Sequence, residues 1–207
     1  MSTQDFPPIK PNRTWFLVAL GLVVAELIYL ALMYPSLPQQ IPVHYNLWGQ
    51  ADGWADKSAW SVFGLTFTLP ALLALVWWGG TAMGRMANKD ASAQSHDAFS
   101  PHAGKQGQRQ LAAAQALGLD ARVYSARRLY AQTQAVVPLF AGLALALVLA
   151  VKIINLTMVG VLGEASVLFA PVLVVSYCLF LTARSYLAGK KFDTRALVRD
   201  TNRHTGR

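Results

Sequence analysis

Cysteine is nearly missing: Cys178 is the only one in 207 residues, so no intrachain disulfide can form and redox compartment is not legible. Charge is scarce too. Only 14% of residues are charged and 54% are hydrophobic, where a soluble domain carries about 25% charged residues. That balance excludes a disordered tail and a soluble metabolic enzyme. Also lacking are a Walker loop, a G-x-G-x-x-G turn, an H-E-x-x-H pair and a strand-turn-helix nucleophile elbow. No cofactor is expected. The 10 acidic residues are outnumbered by 18 basic ones, for a net charge of +8. A nucleic-acid binder would be polar and charged throughout. Basicity on so apolar a chain instead fits a membrane protein with its positive charge gathered on one side.

What the chain has in quantity is long apolar runs. A helix needs about 20 apolar residues to cross a bilayer core of roughly 30 Å. Four windows qualify: Thr14 to Tyr34, Trp60 to Gly80, Val136 to about Thr157, and Ser166 to about Leu187. The first exceeds the 7–15 residue core of a signal peptide and has no small-residue cleavage site after it, so it reads as a retained anchor. Sixteen Lys and Arg fall in the N-tail, the 81–135 loop and the stretch from Arg184 onward, against Lys57 alone in the 35–59 loop. The positive-inside rule then places both termini in the cytoplasm of a bacterial inner membrane.

The expected fold class is an all-α membrane protein with four transmembrane helices. An ordered extracytoplasmic loop joins helices 1 and 2, and a partly helical cytoplasmic loop joins helices 2 and 3. The organisation reads as an N-tail (1–13), a two-helix module (14–80) with outer loop 35–59, a cytoplasmic linker and amphipathic helix (81–135), a second helix pair (136–187) and a basic tail (188–207). Ala87 to Gln110 is polar and aperiodic, a flexible linker. From Leu111 to Tyr130 the apolar spacing is helical, broken at Gly118 with Asp120 as a candidate N-cap. Arg122, Arg127 and Arg128 would line its other face, either against anionic lipid headgroups or in solvent as an extension of the third span. The C-tail's basic residues, about four apart, are either helical or frayed. His96 and His102 read as solvent-exposed linker residues. Pro70 and Pro171 are expected to kink their spans.

The outer loop carries most information. Pro35, Pro38 and Pro42 stop the first helix and hold the chain extended. Gly49 and the Asp52-Gly53 dipeptide permit turns, and Trp48, Trp54 and Trp60 suit a membrane interface. On an extended segment His44 and Asn46 share a face, and Asp52 can return to them through a turn at Gly49. The pattern Leu37-Pro38-x-x-Ile41-Pro42-x-His44-x-Asn46-x-x-Gly49-x-x-Asp52-Gly53, with Lys57 beyond and a span on each side, resembles the signature of SdpI-like bacterial membrane proteins. That family's N-terminal module is largely catalogued as a domain of unknown function. The likeness covers about Trp15 to Gly80. It implies membership of the wider module family, whose best-known member is an immunity protein against a secreted peptide toxin that also tethers a repressor. The Pro-Trp-Thr element of that protein's second half is not found here.

Two groups of residues are candidates for chemistry. Glu26 lies about 12 Å, and Lys152 about 7.5 Å, inside the outer ends of their helices at ~1.5 Å per residue. A charge near the bilayer centre costs at least ~2.5–3.5 kcal/mol, so such residues pair or face a cavity. Lys152 either snorkels outward or pairs with Glu26. His44, Asn46, Asp52, Asp56 and Lys57 form the candidate ligand-binding face. Their donors are nitrogen and oxygen, but one histidine with scattered aspartates falls short of the four ligands a structural zinc takes, and no metal is assigned. His44 and Asn46 either brace the loop or meet a ligand.

The function expected is non-enzymatic: recognition of an extracytoplasmic peptide or envelope component, for immunity, sensing or regulation. Alternatives are a small oligomeric transporter or accessory subunit using Glu26 and Lys152 and, more weakly, a membrane metallohydrolase centred on His44. Expected partners are the lipid bilayer, an extracytoplasmic peptide, anionic headgroups at the basic segments and a second copy of the chain. Nucleic acid is not among them.

Overall fold

The computed structural model describes residues 7–92, 105–118 and 121–204. The elements run α1 (Arg13–Met33), β1 (Gln40–Tyr45), β2 (Ala51–Asp56), α2 (Ala59–Ser92), α3 (Lys105–Ala116), α4 (Ala121–Val136), α5 (Phe140–Met158) and α6 (Phe169–His204), with short 3-10 turns at Tyr34–Ser36, Val137–Leu139 and Glu164–Leu168. Among the described residues, four helices are long and apolar enough to cross a membrane. The protein is therefore an all-α multi-pass membrane protein in architecture, with a small β-hairpin where the sequence predicts only an extended loop.

Two compact units divide the chain. The first comprises Asn12–Gly79 and Leu139–Phe180. Asn12 starts α1 by accepting hydrogen bonds from the Thr14 and Trp15 amides at 3.1 and 3.5 Å, which engages amide protons that would otherwise lack partners. Ala19 and Val23 of α1, Leu69 and Leu73 of α2, and Ala144, Val148 and Val151 of α5 form its buried centre. Small residues let these helices approach closely, since lipid gives apolar side chains no reason to prefer one another. Gly142 shows the tightest case: a methyl there would overlap the Tyr177 ring of α6, whose hydroxyl donates to the Leu139 carbonyl at 2.9 Å. Outward, Leu17, Leu20, Val24, Ile28 and Leu32 of α1 and Val172, Val175 and Leu179 of α6 are exposed. An apolar face of that size is untenable in water and ordinary against acyl chains.

The second unit comprises residues up to Pro11, Gly80–Pro138 and Leu181 onward. Here α2 and α6 run beyond their apolar spans, to Ser92 and His204. The linker reading of 87–110 was too wide, because 87–92 and 105–110 are helical. Residues 93–104, with His96 and His102, lie outside the described residues, as does the candidate cap Asp120. The helical break at Gly118 is present, with φ 59°. α4 continues through a 3-10 turn into α5, as an extension of the third span would. Its Arg128 Nε donates to Asp193 of α6 at 2.8 Å, and the Tyr124 hydroxyl donates to the same oxygen at 2.8 Å. Arg128 is thus committed to a partner inside the protein. Ahead of α1, Ile9 is buried with Tyr130 and Val137, and the Pro7 carbonyl accepts from Asn88 Nδ2 at 3.1 Å and the Tyr130 hydroxyl at 2.8 Å.

Pro70 lies inside α2 and has no N–H for the Thr66 carbonyl one turn earlier. Pro171 does not interrupt its helix as expected. It falls in the first turn of α6, where an amide proton would lack an intrahelical acceptor in any case.

Candidate functional site

The hairpin pairs β1 with β2 antiparallel, Ile41 opposite Ala55 and His44 opposite Gly53, with irregular register between Pro42 and Tyr45. Proline at residue 42 cannot donate to a ladder, so a strand carrying it is confined to an edge or a bulge. Ile41 is fully buried and plugs a cluster with Leu30, Leu37, Val62 and Met158. This one side chain pins the hairpin to the ends of α1, α2 and α5.

The turn is held by Asn46. Its Oδ1 accepts from the Trp48 and Gln50 amides at 2.9 and 3.0 Å, an arrangement to which asparagine is suited because its side chain mimics a backbone carbonyl. Gly49 has φ 77°. A Cβ there would stand 2.8 Å from Ala165 Cα, so the turn lies flush on the α5–α6 connection. The Ala51 amide donates to Glu164 Oε2 at 3.3 Å and ties the hairpin to the same connection.

His44 Nδ1 lies 2.5 Å from Asp52 Oδ1. An ionised carboxylate only accepts, so the imidazole carries a proton on Nδ1. The structure therefore brings His44 and Asp52 together and gives Asn46 a bracing position beside them. Asp56 and Lys57 are engaged elsewhere. Asp56 Oδ1 accepts from Gln40 Nε2 at 2.6 Å; Lys57 Nζ donates to the Leu37 carbonyl at 2.9 Å and lies 5.4 Å from the Tyr34 ring centroid. Among the described residues no three His, Cys, Asp or Glu side chains gather as a metal-binding group.

Beneath the hairpin is a cavity of about 860 Å³, lined by His44, Tyr45 and Asn46 together with residues of α2, α5, α6 and the connection before α6. Ligand cavities commonly measure about 300–1,000 Å³. Its lining contains no Lys, Arg, Asp or Glu. The Tyr45 hydroxyl is buried without a partner. Burial, and then the negative charge of Glu164, raise its pKa above the ordinary phenol value.

Asn155 also lines the cavity and leads into a buried polar network. Its Nδ2 donates to Glu26 Oε1 at 3.1 Å and to Thr66 Oγ1 at 2.9 Å. Lys152 Nζ donates to Glu26 Oε2 and lies 5.0 Å from the Tyr29 ring centroid. Glu26 is only 3% exposed, so both carboxylate oxygens need donors there, and α5 supplies both. Lys152 and Asn155 are three residues apart and share a helix face. Glu26 and Lys152 were singled out by depth, whereas Asn155 and Thr66 were missed. Asking which polar residues lie one turn from Lys152 would have found Asn155.

No curated protein and no solved structure was found to match the chain. A domain of unknown function (DUF1648), associated with SdpI-like membrane proteins, is found at residues 21–73, the segment that carries Glu26, the whole hairpin and Thr66.

Proposed function

We propose that the chain is a non-enzymatic protein of a bacterial cytoplasmic membrane whose hairpin and underlying cavity recognise an extracytoplasmic peptide or envelope component, for immunity, sensing or regulation. The observation that carries this reading is that His44 and Asn46, both in the pattern that resembles SdpI-like proteins, line a ligand-sized cavity. A hairpin that only covered helix ends would not need a cavity beneath it. Both termini are cytoplasmic in this reading, supported by the sixteen basic residues on their side of the spans. The test is direct. A cysteine at Leu47, which is 91% exposed, in a Cys178→Ser background should react with an impermeant maleimide on intact cells. Protection until the cells are opened would reverse the orientation and remove the external ligand.

A transport reading has one observation in its favour: Asn155 joins the cavity to the Glu26–Lys152 pair. Four helices enclose little room, so a transporter would need to be an oligomer. Cross-linking in native membranes, together with solute flux lost in Glu26→Gln, would favour it.

A further inference from the structure

The polar groups around the cavity can be accounted for one at a time. His44 engages Asp52, Asn46 holds its turn, Ser61 Oγ donates to the Asp56 carbonyl, and Thr68 Oγ1 donates to the Leu65 carbonyl within its own helix. Apart from Trp60, which is 77% exposed, two groups are left over. Asn155 uses Nδ2 twice, while its Oδ1 accepts no hydrogen bond among the described residues, although Asn155 is 1% exposed. Tyr45, also in the lining, has the unpartnered hydroxyl. A buried hydroxyl is rarely left unengaged in a folded protein, and the Asn155 acceptor is open to a further donor.

The remaining lining is apolar, and it includes Leu65 of α2 and Leu168 beside α6. Both belong to the exposed apolar surface that suits acyl chains. No carboxylate, Lys or Arg belongs to the lining itself, so a charged group seated among these residues would keep much of its desolvation cost. A hydroxyl or amide N–H seated there would find the Asn155 acceptor.

We infer that the cavity takes an uncharged, single-chain amphiphile from the bilayer, its chain against Leu65, Ile154, Met158 and Leu168 and its hydroxyl or amide head donating to Asn155 Oδ1. This rests on the recognition reading and names the envelope component as a neutral lipid-like molecule. Phospholipids are disfavoured at the same place, because the lining offers no cation for a phosphate.

The test uses the full chain in phosphatidylglycerol–phosphatidylethanolamine nanodiscs with a 1-monoacylglycerol carrying a photoreactive group on its chain. Labelling should concentrate on Ile154, Met158 and Leu168 above the level at Leu32, which is exposed on α1. Unlabelled 1-monooleoylglycerol should compete about ten-fold better than oleate or oleylamine, the scale of one buried hydrogen bond. Leu65→Trp, which enlarges a lining side chain without touching the network, should abolish the enrichment. Asn155→Leu should weaken competition by 1-monooleoylglycerol and leave oleate and oleylamine as weak as before. Even labelling of all exposed apolar faces, or competition led by a charged head, would overturn the inference. Neither result would touch the recognition reading, which fails separately if the Leu47 cysteine is shielded in intact cells.

Discussion

Gly49 closes its turn directly upon Ala165, so closely that a methyl on residue 49 would stand 2.8 Å from the Ala165 Cα. Gly160 has the same φ of 77° but open space around it. The pair separates two costs. A side chain in the left-handed region costs about 1–2 kcal/mol by itself, so Gly160→Ala should lower unfolding free energy by about that much. Gly49→Ala should lose more, because it also lifts the hairpin from its seat. Equal losses in thermal unfolding would mean that the seat contributes nothing.

Removing one partner of the Glu26–Lys152 pair strands the other. Lys152→Met should destabilise by about 3–5 kcal/mol, since it leaves a buried carboxylate with Asn155 as its remaining donor. Glu26→Gln should cost less, because the amide still accepts from Lys152. The double variant should recover part of the loss. Strictly additive changes in this cycle would show that the pair is not coupled.

His44 and Asn46 should differ in kind. Asn46→Ala frees the Trp48 and Gln50 amides and should cost about 1–2 kcal/mol of stability. His44 has a side chain 71% exposed, so His44→Ala should leave the melting temperature nearly unchanged while abolishing ligand response. A melting temperature that falls equally in both variants would make His44 a brace and not a contact residue.

Tyr45 gives a pH prediction with a definite sign. Its phenol loses its proton in the unfolded chain near pH 10.0 but at a higher pH when folded. Above pH 10.0 the unfolded state therefore binds fewer protons than the folded one, and stability falls as pH rises. Below that value the contribution is fully present. Tyr45→Phe should flatten the decline seen in urea or thermal unfolding at alkaline pH. An identical decline in both proteins would assign it to other groups.

The spans were legible because lipid demands long apolar runs, and the helix break was legible at Gly118. The polar continuation of α2 was not, since a helix outside the bilayer keeps no continuous apolar run, and that of α6 was one of two readings open for the basic tail. β2, with the sequence ADGWAD, has almost no strand-forming residues; its pairing comes from Ile41 anchoring the opposite strand and Asn46 setting the turn. Glu26 and Lys152 stood out as charges in apolar surroundings. Asn155 and Thr66, polar but uncharged, did not, although they complete the same network. Arg128 was read as facing headgroups or solvent because Asp193, its partner, lies 65 residues away.

The segment around Pro7 is synthesised before either of its partners, so it settles only after both have followed. The Pro7 carbonyl needs Asn88 and then Tyr130, 123 residues later, before both of its donors exist. The α1 and α2 spans are therefore synthesised while this strap is loose, and it closes only once α4 has emerged. Insertion and full latching are separate events in time, and a chain stalled before residue 130 would have Asn88 as the one donor to the Pro7 carbonyl.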